Sequence, residues 1–172
     1  MYKGRMCETM KKLFITLVLW AVCAGPAYAH SDLESLPPAV AIMSYKHILY
    51  MNPDDLATRN KLAMAYVRTN ELQEAQKELA YVLKKDANNF DAIDGYGVLL
   101  MRAGKHKDAL QYFRKAASIN DKDVMVYVHM SVAYDKLKDR DKAQSALKKA
   151  QSLASSDELK KIEAEQRFLY GR

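Results

Sequence analysis

Four histidines, a few close carboxylate pairs and two cysteines are the residues of this chain that could carry chemistry. His30, His47, His106 and His129 are scattered at separations that no local metal motif uses. HExxH, a Walker phosphate loop, CxxC, CxxCH and GxSxG do not occur. Gly95-Tyr96-Gly97 begins like a dinucleotide fingerprint, but the third glycine position holds Leu100 and the segment reads as helix interior. Asp91 and Asp94 fall at the start of a helix, where capping and the helix dipole account for carboxylates. His106 falls at a turn and reads as a solvated residue, while His129 points toward an inner face. No catalytic, cofactor or metal site is expected, and the chain does not read as an enzyme.

Both cysteines, Cys7 and Cys23, and the single Trp20 lie in the first 23 residues. That stretch has its own logic. Met10-Lys11-Lys12 is a basic start, residues 13–24 are an apolar run, Gly25-Pro26 breaks it, and Ala27-Tyr28-Ala29 is a small-x-small cleavage site. This predicts an export signal over 1–29, starting at Met10, with His30 as the mature terminus and a periplasmic or secreted product. A retained anchor is the competing reading, but the run is well short of the roughly 20 residues a spanning helix needs. Lipidation at Cys23 is disfavoured by Trp20 and Val22, which stand where Leu and a small residue are preferred. Removing Lys3, Arg5, Lys11 and Lys12 against Glu8 lowers the net charge from +6 to +3. That balance is a solubility feature and gives no reason to expect nucleic acid. Membrane contact is not expected once the signal is cut. Lys142, Lys148-Lys149 and Lys160-Lys161 are offset by Asp139, Asp141, Asp157 and Glu158, as on a solvated helix face.

The elements that position these residues show in an internal period. Ala75, Ala109 and Ala143 stand 34 residues apart. The same interval relates Leu79, Phe113 and Leu147; Leu62, Tyr96 and Met130; Ala63, Gly97 and Ser131; and Tyr66, Leu100 and Tyr134. Within each copy the apolar positions follow i, i+4, i+7, as in Leu62-Tyr66-Thr69 and Ala75-Leu79-Val82. Each copy therefore reads as an antiparallel helix pair. Ala63, Gly97 and Ser131 are expected to face Ala75, Ala109 and Ala143 where the two helices come closest.

This pattern resembles the tetratricopeptide repeat, whose signature is W-x2-L-G-x2-Y followed by A-x3-F and a proline. The middle copy carries it best, in Tyr96-Gly97-Val98-Leu99-Leu100, Gly104 and Ala109 through Phe113 to Ala116. The resemblance implies an all-α, right-handed superhelical α-solenoid. Its repeats would span 56–89, 90–123 and 124–157, with a linker and cap helix over 30–55 and a final cap helix over 158–172. Stepping back one period puts Ala41, Tyr45, Ile48 and Pro53 in second-helix columns, so a lone helix is expected over 38–51 after Pro37-Pro38. The last helix is expected to turn Leu159, Ile162, Gln166 and Leu169 inward and Lys160, Lys161, Glu163 and Glu165 to water, as a terminal repeat requires. Departures from the family pattern are Arg59, Ile93 and Tyr127 at the bulky first position, and Ala87, Asp121 and Ser155 for the closing proline.

In such arrays the first helices line a concave groove. Mapped here, its residues are Asn60, Met64 and Val67, then Asp91, Asp94, Val98 and Met101, then Met125, Val128, His129 and Val132. The family's carboxylate clamp of Lys, Asn and Arg is not reproduced, because Met64, Gly95, Met125 and His129 stand at its places. The lining is apolar and methionine-rich, suited to an amphipathic or extended apolar segment. The partner is thus another protein or peptide segment, and the groove could also be filled by this protein's own N-terminal helix or a second copy. The reading is a non-catalytic scaffold or adaptor of the bacterial cell envelope. Alternatives are a self-associating structural module, forming a homo-oligomer, or an accessory subunit of an envelope enzyme or assembly or secretion complex.

Overall fold

The computed structural model describes Leu33 and residues 36–171, so the signal segment and His30 lie outside the described residues. Among the described residues there are eight helices: α1 Pro38–Met51, α2 Leu56–Arg68, α3 Leu72–Lys85, α4 Phe90–Arg102, α5 His106–Ile119, α6 Val124–Lys136, α7 Arg140–Leu153 and α8 Ser156–Tyr170. Pairs α2/α3, α4/α5 and α6/α7 are the three repeats. Each second helix packs against the first helix of the following repeat, and α2, α4 and α6 also lie side by side. The result is an α-solenoid.

Two columns of polar residues punctuate it. Asp55, Asn89 and Asp123, each 34 residues from the next, are the N-caps of α2, α4 and α6, accepting from the backbone N–H of Thr58, Ala92 and Val126. Asn70, Gly104 and Lys138 share the same interval and close the first helices with positive φ of 64°, 75° and 64°. Each starts a Schellman turn: the next residue's N–H reaches back to Tyr66, Leu100 or Tyr134 carbonyl at 2.8, 2.9 and 3.0 Å. The N-caps Asn89 and Asp123 stand two residues after Ala87 and Asp121, the positions where the closing proline is missing.

The interior follows the periodic columns, with one correction. Ala63, Ala75, Ala109, Leu79 and Phe113 are fully buried. At Gly97 the nearest side chain is the Phe113 ring, which an added Cβ would overlap, so the glycine makes room for Phe113 rather than for Ala109. Repeat two thus pairs its smallest residue with the largest of the 79/113/147 column. The bulky first position in repeat one is filled by Arg59, whose guanidinium stacks 3.8 Å from the Tyr81 ring centroid and bonds Glu78 at 2.5 Å. Helix α1 buries Ala41, Ile42, Tyr45 and Leu49 and packs on α2. Pro38 opens it at the first helical position, where a missing N–H costs nothing.

Helix α8 departs from the repeat rule. A further first helix would pack mainly on α7; α8 instead lies on α6 and α4. It begins at Ser156, with Ser155 as its cap donating backbone N–H to Glu158 at 2.9 Å.

Candidate partner-binding groove

The first-helix face is built by positions that recur on α2, α4 and α6, such as Asn60, Asp94 and Val128, and Met64, Val98 and Val132. It is not open. Val67, Val98, Met101, Val128, His129, Val132 and Asn60 are all buried, Met64 and Met125 are half-buried, and Asp91 is the exposed member. On α4 and α6 part of the cover is α8, which lies across both helices. Ile162 joins Val124, Val128 and Ala150 in one buried cluster, with Met125 packed against it. Arg102 Nη1 donates to the Phe168 carbonyl at 3.3 Å, and its guanidinium stands 5.2 Å from the Phe168 ring centroid. Tyr170 donates to Asp135 at 2.7 Å, and Lys136 stands over the Tyr170 ring.

At the centre of this contact is a buried charge. His129 Nδ1 lies 2.8 Å from Asp94 Oδ1 on α4, and Nε2 lies 3.3 Å from Glu165 Oε1 on α8. Its ring also tilts against Phe113 on α5, centroids 5.2 Å apart. Burial disfavours the imidazolium, but the two carboxylates more than offset it and hold the pKa up at about 10. Burial alone would raise the Glu165 carboxyl; His129, with Arg68, holds it below its ordinary value instead. Each ring nitrogen is taken by a carboxylate on an opposite side, which leaves no lone pair for a metal. Among the described residues no group of three or more His, Cys, Asp or Glu could hold one.

Five expectations change here. Glu165 faces the groove rather than water, with Oε1 3.3 Å from His129 Nε2. Leu159, 44% exposed, does not join the inward face. Asp94 is engaged by His129 and does not wait for a ligand or cap its helix. Asn60 Nδ2 donates to Asn89 Oδ1 at 2.9 Å, tying repeat one to the cap of α4, so it is a joint between repeats. Asp91 alone keeps a free edge; burial and then the nearby Asp94 and Asp123 raise its pKa. His106 is half-buried, with Nδ1 unpartnered, and burial then Lys136 lower its pKa, so it is not a plain solvated residue. Sequence reasoning missed Glu165 and Arg102. The signal available for Glu165 was its place in an i, i+3, i+7 series with Ile162 and Leu169.

The stacked helix pairs with a shared first-helix face define a helical-repeat binding scaffold. Residues 100–164 match the tetratricopeptide repeat family model. A curated relative, the BBSome complex member bbs-4 of Caenorhabditis elegans, is 31% identical over 110 residues, which is 64% of this chain and 24% of that protein. The chain thus spans about a quarter of that relative's length. Among solved structures, a crystal structure of MamA superposes with a TM-score of 0.60 at 24% identity, covering 78% of this chain and 77% of that one. A MamA RS-1 ArsTM double mutant gives 0.60 at 22% identity, covering 83% and 79%. At these identities the likeness shows the fold.

Proposed function

We propose that this protein–protein interaction scaffold is an exported, non-catalytic adaptor of the bacterial cell envelope, holding an amphipathic segment of another protein on its first-helix face. The observation that carries the reading is α8 itself, an amphipathic helix seated on α4 and α6, with Ile162 buried beside Val124 and Val128. A surface that accepts one such helix in cis has the shape and polarity to accept another in trans. Buried apolar anchors would supply the affinity, and rim charges the orientation. The basic start, apolar run and Ala27-Tyr28-Ala29 site support export.

The test compares capture of a partner from envelope extract. Met101→Glu should abolish it with helicity retained, and Lys148→Glu with Lys149→Glu on the exposed face of α7 should leave it intact. The reverse pattern would place binding on the outer face.

One observation favours self-association as a second reading. Met43, Tyr50 and Met51 on α1 are strongly exposed, at 73%, 82% and 72%, one period before Lys77, Lys84 and Lys85. An outer face polar in repeat one is apolar here. A dimer by light scattering that Met43→Lys with Tyr50→Lys dissolves would support this reading.

A further inference from the structure

The groove does more than offer apolar surface; it holds the His129 ring, paired with Asp94, in its floor. We propose that the His129–Asp94 pair is a receptor for a helix-borne carboxylate, and that α8 is a built-in stand-in for the true ligand. That ligand is an amphipathic helix of another protein with an acidic residue three positions after one apolar anchor and four before the next. The inference rests on the adaptor reading and names the partner's chemistry.

The template is read from α8. Ile162 and Leu169 are its two buried side chains, and Glu165 lies between them on the same face. Glu165 meets a ring already oriented by Asp94 and braced by Phe113, so the recognising group belongs to the repeats and not to α8. With one carboxylate supplied from α4, an imidazolium needs a second acceptor at Nε2. A ligand acid there completes the ring's second contact, 3.3 Å from Nε2 in α8, and a ligand without one gives up that ion pair. Arg102 fixes direction, because its guanidinium bonds a carbonyl of the last turn of α8, the negative end of the helix dipole. Arg68 adds to the positive field around Glu165.

The same inventory explains why α8 can leave. It buries two residues, Ile162 and Leu169, against three on each of α3 and α7 and eight on each of α4 and α6. Its Leu159 remains exposed, so the seat is shallow by comparison with the joints between repeats. Displacement by a helix with better anchors at the Ile162 and Leu169 positions would open no other part of the solenoid.

The experiment uses the full chain and a labelled peptide of residues 155–171, read by fluorescence anisotropy. In Ile162→Asp with Leu169→Asp the tethered helix loses both anchors and should vacate the groove. The peptide should then bind about tenfold or more tighter than to the unmodified chain, where the tethered helix competes. The E165Q peptide should bind about tenfold weaker than the native peptide, and His129→Gln in the chain should erase that difference. If the double variant loses helicity, the two peptides are compared on the unmodified chain, where the only change is in the peptide. Equal binding of both peptides overturns the carboxylate receptor and leaves the groove reading standing. Binding of neither peptide to any folded form overturns both. A dimer that the peptide dissociates would make the occupant a second copy's α8, and overturns a foreign partner.

Discussion

His129 Nδ1 rests 2.8 Å from Asp94 Oδ1, 35 positions earlier in the chain and one repeat away. The contact ties α6 to α4 through a side-chain ion pair, where α2 is tied to the cap of α4 by the Asn60–Asn89 hydrogen bond. With Glu165 on the far nitrogen, three helices share one imidazolium.

That arrangement makes stability depend on pH in a defined direction. The folded pKa of about 10 lies above the ordinary 6.5, so the pair's contribution is fully present below pH 6.5. It is lost as pH rises from there through 10. Glu165 acts oppositely: its lowered pKa gives stability present above its ordinary 4.5 and lost as pH falls below that. The thermal midpoint should therefore decline between pH 7 and 10, and His129→Gln should flatten that decline. A parallel decline in both proteins would remove His129 as its source.

Gly97 gives a second prediction. Replacing glycine by alanine inside an exposed helix normally gains up to about 1 kcal/mol. Here the added methyl meets the Phe113 ring, so Gly97→Ala should cost on the order of 1–3 kcal/mol in chemical denaturation. Phe113→Leu in the same molecule should recover part of the loss, because repeat one holds Ala63 with Leu79 at these columns.

The repeats were legible because packing columns recur at a fixed interval, and so were α1 and the all-α class. The small-residue column was legible too, but not its partner: spacing alone does not tell whether Gly97 faces Ala109 or Phe113. The groove residues shared a face as read, yet their burial was not legible. The last helix ends one period after α6, but it breaks the columns, with Glu165 standing where Ala63, Gly97 and Ser131 do, so they do not say where α8 lies. Asp55, Asn89 and Asp123 are periodic caps that a search for apolar columns passes over.

Lys138 occupies a left-handed turn position that Gly104 fills at no steric cost in repeat two. Asn tolerates that region, as at Asn70, but Lys does so poorly. Lys138→Gly should raise stability by about 0.5–1 kcal/mol, and Gly104→Lys should lower it by a similar amount, both read as shifts in urea midpoint.

Export predicts a mature terminus at His30. Mass spectrometry of the protein from its native host should give a mass beginning there, and an intact Met1 or Met10 terminus would refute cleavage after Ala29.

The last prediction sets one substitution against itself at two sites. In repeat two, Tyr112 stacks on Tyr96 with ring centroids 4.9 Å apart, filling the cleft between α4 and α5. One period later the Tyr112 position is Ala146, and repeat three has an open cleft of about 340 Å³ lined by Tyr127, Met130, Tyr134, Lys142 and Lys149 among others. Ala146→Leu would grow into that space and cover the aromatic rings without displacing backbone. It should stabilise by about 1 kcal/mol, a fraction of what a fully enclosed leucine would add, because the cleft is open on one side. Ala109 has no exposed surface and sits in the core of repeat two, so Ala109→Leu should instead cost on the order of 1–3 kcal/mol through overpacking. Its damage should spread to the repeats on either side, since each relies on its neighbour's interface. Opposite signs in paired urea titrations are the expected result. Two destabilising outcomes would mean that Lys142 and Lys149, held 5.8 Å over the Tyr134 and Tyr127 rings, already close the cleft.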